Sequence, residues 1–364
     1  MAPTPTRYNR KTPPSIKVID LFCGIGGMTH GFVRQGFDVV AGIDIDNTCR
    51  YAYEFNNKTK FVEENIANVT PEMLNKEFGE DCNVRVLIGC APCQPFSNLN
   101  TQKRVHSRKK KFPLERFAEL IAQVRPEIVS MENVKGLTQK GRNTVFKNFL
   151  NVLEENGYKV FYKVIDCSEY GVPQKRHRLI LLASRLGEIR LIDPTHVQKK
   201  VTVRDAIGNL PPIEDGVIYR RDPLHRTSKL SPLNKRRIIA TPKNGGNSSA
   251  WPEELKLDCH KKATGRSYKG TVYGRMRWEQ PSPTMTTQCY GLGNGRFGHP
   301  TQNRAISLRE AALFQTFPKH YRFARLNEEM FMKSIARHIG NAVPVRIGEV
   351  IAKSIKEHII LCNA

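Results

Sequence analysis

The chain has 364 residues, with 58 lysines and arginines against 34 aspartates and glutamates, which gives a formal net charge of +24. A hydrophobic content of 39% and a charged content of 25% are typical of a globular protein and exclude a disordered one. The basic excess favours a polyanionic partner over a merely solvated basic face. The longest aliphatic run, residues 179–183, is too short to cross a bilayer, so we expect no membrane segment.

The N-terminal stretch is polar, rich in proline and threonine, and lacks the apolar core of a signal peptide. We expect residues 1–15 to form a flexible basic arm. The chain has nine cysteines at irregular spacing, which predicts reduced thiols rather than a disulfide framework. Both features indicate a cytoplasmic protein.

The first elements form a strand, a glycine-rich turn, a helix and a second strand. The strand covers residues 16–22, the helix residues 28–36, and the second strand residues 39–43 before Asp44. This order predicts a βαβ unit. Further strands are predicted at 84–88, 128–131, 159–165 and 178–183, with helices at 116–123 and 144–155 among them. The alternation predicts a doubly wound, mostly parallel α/β sheet over residues 16–195.

The second half of the chain changes character near residue 196. Residues 196–333 are rich in proline, glycine and basic residues, and we expect a smaller, irregular, β-rich domain there. Ser307 and Glu310 form a capping box that opens a helix to about residue 316. A final helical region follows residue 331, is interrupted at 340–344 and resumes. We expect residues 334–364 to complete the first domain, with a cleft between the two domains.

The turn after the first strand offers backbone amides to a ligand at a helix N-terminus. The position where dinucleotide-binding folds require a third glycine is Thr29, which disfavours a nicotinamide cofactor. Asp44 lies where an acid can accept hydrogen bonds from ribose hydroxyls. Two interpretations stay open from these residues alone: a tight turn in an ordinary α/β fold, or a site for an adenosine-bearing cofactor without a pyrophosphate.

A Cys-x-x-Cys pair, Cys90 and Cys93, follows the strand at 84–88. Zinc would require two further ligands at usable spacing, and no second pair exists in the sequence, so no metal is expected. The two prolines of this segment disfavour a thioredoxin-like dithiol. A nucleophilic thiol and a buried inert cysteine remain as interpretations.

Six segments, in order along the chain, resemble the motifs of the cytosine-C5 DNA methyltransferases of bacterial restriction-modification type. They are Asp20-Leu21-Phe22-Cys23-Gly24-Ile25-Gly26-Gly27, Pro92-Cys93-Gln94, Glu132-Asn133-Val134, Gln174-Lys175-Arg176-His177-Arg178, Arg309-Glu310-Ala311-Ala312 with Gln315-Thr316-Phe317-Pro318, and Gly340-Asn341-Ala342-Val343-Pro344. The resemblance covers nearly the whole chain and implies a Rossmann-like fold and methyl transfer from S-adenosylmethionine, with S-adenosylhomocysteine as product.

The resemblance also implies catalytic roles. Cys93 matches the nucleophile that adds to carbon 6 of cytosine. The thiolate form of cysteine is the one that reacts in such an addition. Glu132 matches the general acid at N3, for which we expect a shielded carboxyl with a raised pKa. Arg178 is expected to bind the cytosine O2, and Arg176 to support the site or contact the backbone. The base that removes the C5 proton is not identified, and water is the default.

For the cofactor, the resemblance implies stacking of adenine on Phe22, ribose binding by Asp44 and backbone approach at the glycine turn. The adenine-binding position that is aspartate in many relatives is Asn65 here, which is a departure from the family pattern. The full expected set is Phe22, Gly24, Gly26, Gly27, Asp44, Ile45, Asn65, Ile66, Pro92, Asn341 and Ala342.

The expected partner is double-stranded DNA, from which the target base must be flipped out. The basic stretch 98–113 resembles a loop that closes over DNA, and the family places target recognition between the Arg178 and Arg309 motifs. The candidate DNA-binding residues are Gln94, Ser97, Lys103, Arg104, Arg108, Arg236, Arg266, Tyr268, Arg275 and Arg277. We expect a monomer in the bacterial cytoplasm, associated with the nucleoid and without a stable protein partner. The alternatives are a tRNA cytosine-5 methyltransferase and a catalytically silent DNA-binding protein.

Overall fold

Buried aliphatic strands alternate with amphipathic helices through the first half of the chain. The computed structural model describes residues 15–92, 113–139, 144–258, 272–325 and 330–363. The strands are β1 (Ile16–Leu21), β2 (Asp38–Asp44), β3 (Lys60–Glu63), β4 (Val84–Gly89), β5 (Ile128–Val134), β6 (Lys159–Asp166) and β7 (His177–Ser184). Among them, β3 is the one that the sequence analysis did not predict.

The helices include those that the sequence predicts and others that it does not, at residues 50–57, 71–78, 203–207 and 232–240. They are α1 (Gly27–Arg34), α2 (Arg50–Asn57), α3 (Pro71–Phe78), α4 (Pro113–Val124), α5 (Thr144–Glu155), α6 (Val203–Ile207), α7 (Pro232–Ala240), α8 (Leu308–Phe314), α9 (Met332–Asn341) and α10 (Val345–Asn363). The predicted capping box is confirmed, because the Ser307 hydroxyl accepts from the Glu310 amide and the Glu310 carboxylate accepts from the Ser307 amide. No helix of the described ranges is long and apolar enough to span a membrane.

The strands form one seven-stranded sheet in the order β3-β2-β1-β4-β5-β7-β6. The pairs β1–β2, β1–β4, β2–β3 and β4–β5 are parallel, and β5–β7 is antiparallel. This confirms the predicted mostly parallel α/β fold. The core on one face of the sheet is fully buried and contains Leu21, Leu87, Phe117, Val129 and Leu181. Burial of apolar side chains in such a core is the main favourable contribution to the free energy of folding.

The described residues divide into two compact units. The first comprises those within 1–165, 177–193 and 347–364, and the second those within 166–176 and 194–346. This division differs from the predicted boundaries, because residues 166–176 and α9 belong to the second unit. In the described part of the second unit, extended segments pair through isolated bridges such as Arg275 with Gly298, rather than through strand ladders. The described part of the unit is irregular, as predicted, but its regular elements are short helices instead of the predicted strands.

Candidate active site

Parallel strands bring the predicted site residues of the first unit to one edge of the sheet. Because β1, β2, β4 and β5 run in the same direction, their carboxyl ends meet at that edge. The antiparallel β7 contributes its first residues there, since Arg178 pairs with Val134. The edge therefore carries the glycine turn, Asp44, the segment that leads to Cys93, Glu132 and Arg178.

The turn after β1 is held in a left-handed conformation. Phe22, Gly24 and Gly26 have φ values of 62°, 50° and 83°. The Phe22 and Cys23 amides both donate to the Ile43 carbonyl. A Cβ atom at Gly24 would meet nothing within 4 Å, so this part of the turn borders open space. Its backbone is therefore accessible to a ligand, as the cofactor interpretation requires.

Asp44 links the turn to the end of β2. Its Oδ2 accepts from the Gly24 amide at 2.8 Å, and its Oδ1 accepts from the Asp46 amide at 2.9 Å. Burial raises the pKa of this carboxyl, and the two amides oppose that shift. A carboxylate has about four lone-pair positions, so Asp44 retains acceptor capacity for the two hydroxyls of a ribose.

The remaining cofactor candidates of the first unit differ in exposure. The Phe22 ring packs edge-on against Phe117, with centroids 6.4 Å apart at 72°. Ile66 packs partly buried against the core, whereas Ile45 is 66% exposed. Asn65 is exposed, and its Oδ1 accepts from the Ala67 amide. Its amide group can therefore still donate to an adenine ring nitrogen. An apolar ring, a hydroxyl acceptor and an open glycine turn fit S-adenosylmethionine.

Asp20, at the end of β1, belongs to the first motif, and the sequence analysis assigned it no role. It is completely buried, and its Oδ2 accepts from the Thr29 hydroxyl at 2.6 Å. Its Oδ1 has no hydrogen-bond partner among the described residues. Burial raises the pKa of Asp20 to about 7, and the charge of Asp44 adds to that shift. The sequence alone could not reveal the raised pKa of Asp20, because Thr29 covers this carboxyl only when α1 is packed against β1.

Glu132 is the buried carboxylate of the predicted catalytic set. It is 2% exposed, its Oε1 lies 2.7 Å from Arg178 Nε, and its Oε2 accepts from Cys90 Sγ at 2.8 Å. The Arg178 contact is an ion pair without hydrogen-bond alignment, because Oε1 has no hydrogen-bond donor in the described part of the chain. The shielded carboxyl thus lies at the sheet edge, with one oxygen in an ion pair with Arg178 and the other bonded to Cys90.

Strand register explains why these side chains meet. Glu132 pairs with Ile180 across β5 and β7, so Arg178 lies on the same face, diagonally opposite Glu132. On the other side, Gly89 pairs with Met131 across β4 and β5, so Cys90 follows directly beside Glu132. The two neighbours of Glu132 are therefore placed by the sheet rather than by loops.

Asn133 supports the segment that leads to Cys93. It lies in the Glu132-Asn133-Val134 motif, and the sequence analysis assigned it no role. It is buried, and its side-chain amide donates to the Ala91 carbonyl at 3.2 Å. Its oxygen accepts from the Val134 amide at 2.8 Å. Asn133 therefore fixes the backbone just before Pro92, which is exposed. Cys93 itself lies outside the described residues.

Arg176 belongs to the second unit, where its guanidinium contacts backbone carbonyls. It is buried, with Nη1 donating to the Met285 carbonyl and Nη2 to the Ala342 carbonyl. Gln315 donates to the same Ala342 carbonyl at 2.9 Å. Arg176 and Gln315 thus support the segment after α9, where Asn341 is exposed and Ala342 is partly buried.

The DNA-binding candidates are exposed, buried or outside the residues that the structure describes. Arg236 and Arg277 are exposed, and Arg236 lies 3.8 Å from Glu254. Arg275 was predicted to read bases, and this prediction is wrong. It is 1% exposed and donates to five oxygens, on Ile238, Thr241, His299, Gln302 and Asn303. The neighbouring chain segments leave carbonyls pointing inward, and the guanidinium satisfies them.

The other candidates, Gln94, Ser97, Lys103, Arg104, Arg108, Arg266 and Tyr268, lie outside the described residues.

Comparison with known proteins identifies the family. The sequence profile of the C-5 cytosine-specific DNA methylases matches residues 16–357. The chain is 50% identical over 340 residues to the Type II methylase M.HgiDII of Herpetosiphon aurantiacus, which covers 93% of this chain and 94% of that protein. It is 30% identical to the Type II methyltransferase M.XorII of Xanthomonas oryzae, over 93% and 84% of the two chains.

Solved structures share the fold. A prophage-encoded Escherichia coli protein, solved as a candidate DNA modification methyltransferase, has a TM-score of 0.73 at 23% identity and covers 95% of this chain and 100% of its own. Spodoptera frugiperda DNMT2 has a TM-score of 0.65 at 19% identity and covers 94% and 100%. With the sheet edge described above and a family profile that spans nearly the whole sequence, the chain belongs to the C-5 cytosine-specific DNA methylases.

Proposed function

We propose that this enzyme transfers a methyl group from S-adenosylmethionine to carbon 5 of one cytosine in a short duplex DNA sequence. We further propose that the methylation protects host DNA in a restriction-modification system. The single observation that carries the chemistry is the buried Glu132 carboxyl, whose two oxygens are held by an ion pair with Arg178 and a hydrogen bond from Cys90. The Type II role is supported by the 50% identity to M.HgiDII.

The cofactor is proposed to lie over the glycine turn and to supply the electrophilic methyl group. Phe22 and Ile66 offer apolar surface to its adenine, and Asn65 offers an amide to the ring edge. Asp44 accepts from the ribose hydroxyls, while the backbone at Gly24, Gly26 and Gly27 approaches the amino acid part. Ile45, Pro92, Asn341 and Ala342 complete the proposed site.

Three side chains are proposed to act on the cytosine. Cys93 forms a bond to carbon 6, which makes carbon 5 nucleophilic enough to accept a methyl group. Glu132 is proposed to act as the general acid toward N3 as negative charge builds on the ring. Arg178 stabilises the developing charge at O2. Loss of the C5 proton, with water as base, then allows elimination that frees Cys93.

The target base is proposed to be flipped out of the duplex, because an intact duplex hides carbons 5 and 6. Lys103, Arg104 and Arg108 are proposed to close over the DNA, with Gln94 and Ser97 beside the flipped base. Target recognition is assigned to residues 196–333, including Arg236, Arg266 and Tyr268. We propose that the enzyme acts as a monomer in the bacterial cytoplasm.

The proposal is tested by offering the purified enzyme labelled S-adenosylmethionine with duplex DNA or with tRNA. We expect label in 5-methylcytosine of DNA, none with tRNA, and none from C93S on either substrate. Label in tRNA alone would support the RNA alternative. Cofactor-independent DNA binding without methyl transfer would support a silent DNA-binding protein.

A further inference from the structure

The turn between α9 and α10 is held by two residues that follow α8, Gln315 and Thr316. The turn contains Ala342 and leads to the first residues of α10, Val345 and Arg346. The end of one helix and the start of the next leave backbone groups without partners inside their own helices. Gln315 and Thr316 supply several of the missing partners.

Gln315 bonds to both helices at once. Its side-chain amide donates to the Ile339 carbonyl, in the last turn of α9, at 2.7 Å and to the Ala342 carbonyl at 2.9 Å. Its backbone carbonyl accepts from the Val345 amide, the first of α10, at 3.1 Å. Gln315 is completely buried, so water cannot replace these bonds. One residue therefore fixes the end of α9 and the start of α10 relative to each other.

Thr316 is held in a strained backbone conformation beside the same turn. Its φ value of 61° lies in the left-handed region, which β-branched residues rarely adopt. Its hydroxyl donates to the Gln315 carbonyl at 2.6 Å and accepts from the Arg346 amide at 2.9 Å. A conformation of this kind persists only where the surrounding contacts enforce it, and it points to a functional constraint on the segment.

Gln174 sets the orientation of the Gln315 amide. The Gln174 oxygen accepts from the Met285 backbone amide at 2.8 Å, so its NH₂ group faces the other way. That NH₂ group donates to the Gln315 oxygen at 2.8 Å and to the Phe314 carbonyl at 3.1 Å. The Gln315 NH₂ group is thereby directed to the two carbonyls of the turn. Both glutamine side chains are completely buried.

The end of α9 also lies directly on the backbone of another segment. A Cβ atom at Gly340 would collide with the backbone of Thr286 and Thr287. The turn is thus enclosed on its inner side, where Val343 is buried, whereas Asn341 is exposed. An exposed side chain can be presented in a constant direction only if the backbone beneath it is fixed.

We propose that Gln315 and Thr316 are positioning residues that hold residues 341–344 in the conformation in which Asn341 and Ala342 bind S-adenosylmethionine. The inference rests on the proposed function, because that function assigns Asn341 and Ala342 to the cofactor. It goes beyond the proposed function by giving a role to two residues that the cofactor site does not include.

The test is calorimetric binding of S-adenosylmethionine and S-adenosylhomocysteine, without DNA, to Q315M, T316A and T316S. Q315M keeps a side chain of similar length but lacks the donors, and T316A removes only the hydroxyl and its methyl group. We expect both variants to bind about 10-fold more weakly, because the competent turn would be populated about a tenth of the time. T316S restores the hydroxyl and should bind as tightly as wild type.

Hydrogen exchange gives a second readout that does not involve the cofactor. We expect faster amide exchange in residues 341–346 of Q315M and T316A than of wild type and T316S. In T316A the Arg346 amide loses its acceptor, and in Q315M the turn loses two bonds. T316A and T316S differ only slightly from wild type in volume, so this pair decides the question even if Q315M does not fold.

R275M is the control for a general loss of stability. Arg275 bonds to carbonyls elsewhere in the second unit and to none within residues 339–346. All binding is measured below the melting transition of every variant. R275M should then bind the cofactor as tightly as wild type, although it melts at a lower temperature.

The inference is overturned if Q315M and T316A bind S-adenosylhomocysteine as tightly as wild type. It is also overturned if R275M loses as much affinity as they do, or if T316S is as weak as T316A. These outcomes leave the proposed function intact, because the wild-type enzyme still binds the cofactor. Absence of cofactor binding by wild type would instead remove the proposed function, and this inference with it.

Discussion

Arg178 Nε lies 2.7 Å from Glu132 Oε1, and this ion pair is set by the antiparallel register of β5 and β7. The two residues are 46 positions apart in the sequence but diagonal neighbours on one face of the sheet. Because strands place them, their separation should survive changes in the surrounding loops. The carboxyl for which we propose a catalytic role and its neighbouring cation are thus held in a rigid arrangement at the sheet edge.

Replacing Glu132 by glutamine should abolish the proton donation proposed for it. We expect E132Q to reduce turnover by about 10²- to 10⁴-fold, because general acid catalysis contributes on that scale. The measurement is single-turnover methyl transfer with saturating DNA and cofactor. E155Q, on the exposed side of α5, is the matched control. Turnover by E132Q at the rate of E155Q would show that Glu132 has no role in the chemistry.

Cys90 should influence the reaction through its contact with Glu132. The thiol donates to Glu132 Oε2 at 2.8 Å, so C90A removes a donor from a buried carboxylate. We expect C90A to slow turnover several-fold and C90S to restore most of the rate, because a hydroxyl can donate from nearly the same position. DNA affinity should be unchanged in both variants. Equal rates for wild type, C90A and C90S would contradict a positioning role.

Asp20 should make stability depend on pH. Its pKa is about 7 in the folded protein against an ordinary value of 3.8, so the folded state binds the proton more tightly than the unfolded state. The stabilisation is present at acid pH and is lost as the pH rises through about 7. Between about pH 5 and about pH 8 this loss is on the order of 2 kcal/mol.

D20N should lack this pH dependence, since an amide does not titrate and its oxygen can still accept from Thr29. Urea unfolding of both proteins at the two pH values isolates the contribution of Asp20 from that of other groups. We expect the variant to be more stable than wild type at the higher pH. Parallel pH profiles for wild type and D20N would contradict the assignment.

Arg275 and Arg277 allow a comparison of how a buried and an exposed arginine contribute to the free energy of unfolding. R275M would leave several buried carbonyls without a donor, and we expect it to lower the free energy of unfolding by about 3 kcal/mol. R277M, at an exposed position, should change stability by about 0.5 kcal/mol or less. Similar stability losses in the two variants, measured by chemical unfolding, would contradict this distinction.

The sequence predicted the sheet well because buried strands leave continuous apolar runs, as in residues 84–88 and 178–183. It missed β3, which covers only Lys60–Glu63 and has just one fully buried residue. The glycine turn, Asp44 and Glu132 could be located from motifs. The contacts of Glu132 could not be predicted from the motifs, because they depend on the register between strands that are distant in the sequence.

The role of the basic residues was the feature hardest to predict from the sequence. The basic residues between 220 and 277 favour DNA contacts by their charge, yet Arg237 and Arg275 are buried in the second unit. Lys235 donates to the Asn303 carbonyl and lies near Asp215. Sequence cannot separate a guanidinium that satisfies internal carbonyls from one that faces solvent, because the difference arises only when loops pack together. The surface available to DNA is thus smaller than the composition indicates.

Base-resolution mapping of 5-methylcytosine tests the proposed roles of Cys93 and Glu132 directly, in DNA from cells that express the enzyme, its C93S variant or its E132Q variant. We predict methylation of one cytosine in one short duplex sequence by wild type, and none above background by C93S. E132Q should methylate the same sequence at a much lower level. Unmethylated DNA in wild-type cells, or undiminished methylation by C93S, would contradict the central claim that Cys93 and Glu132 carry out cytosine-5 methylation of DNA.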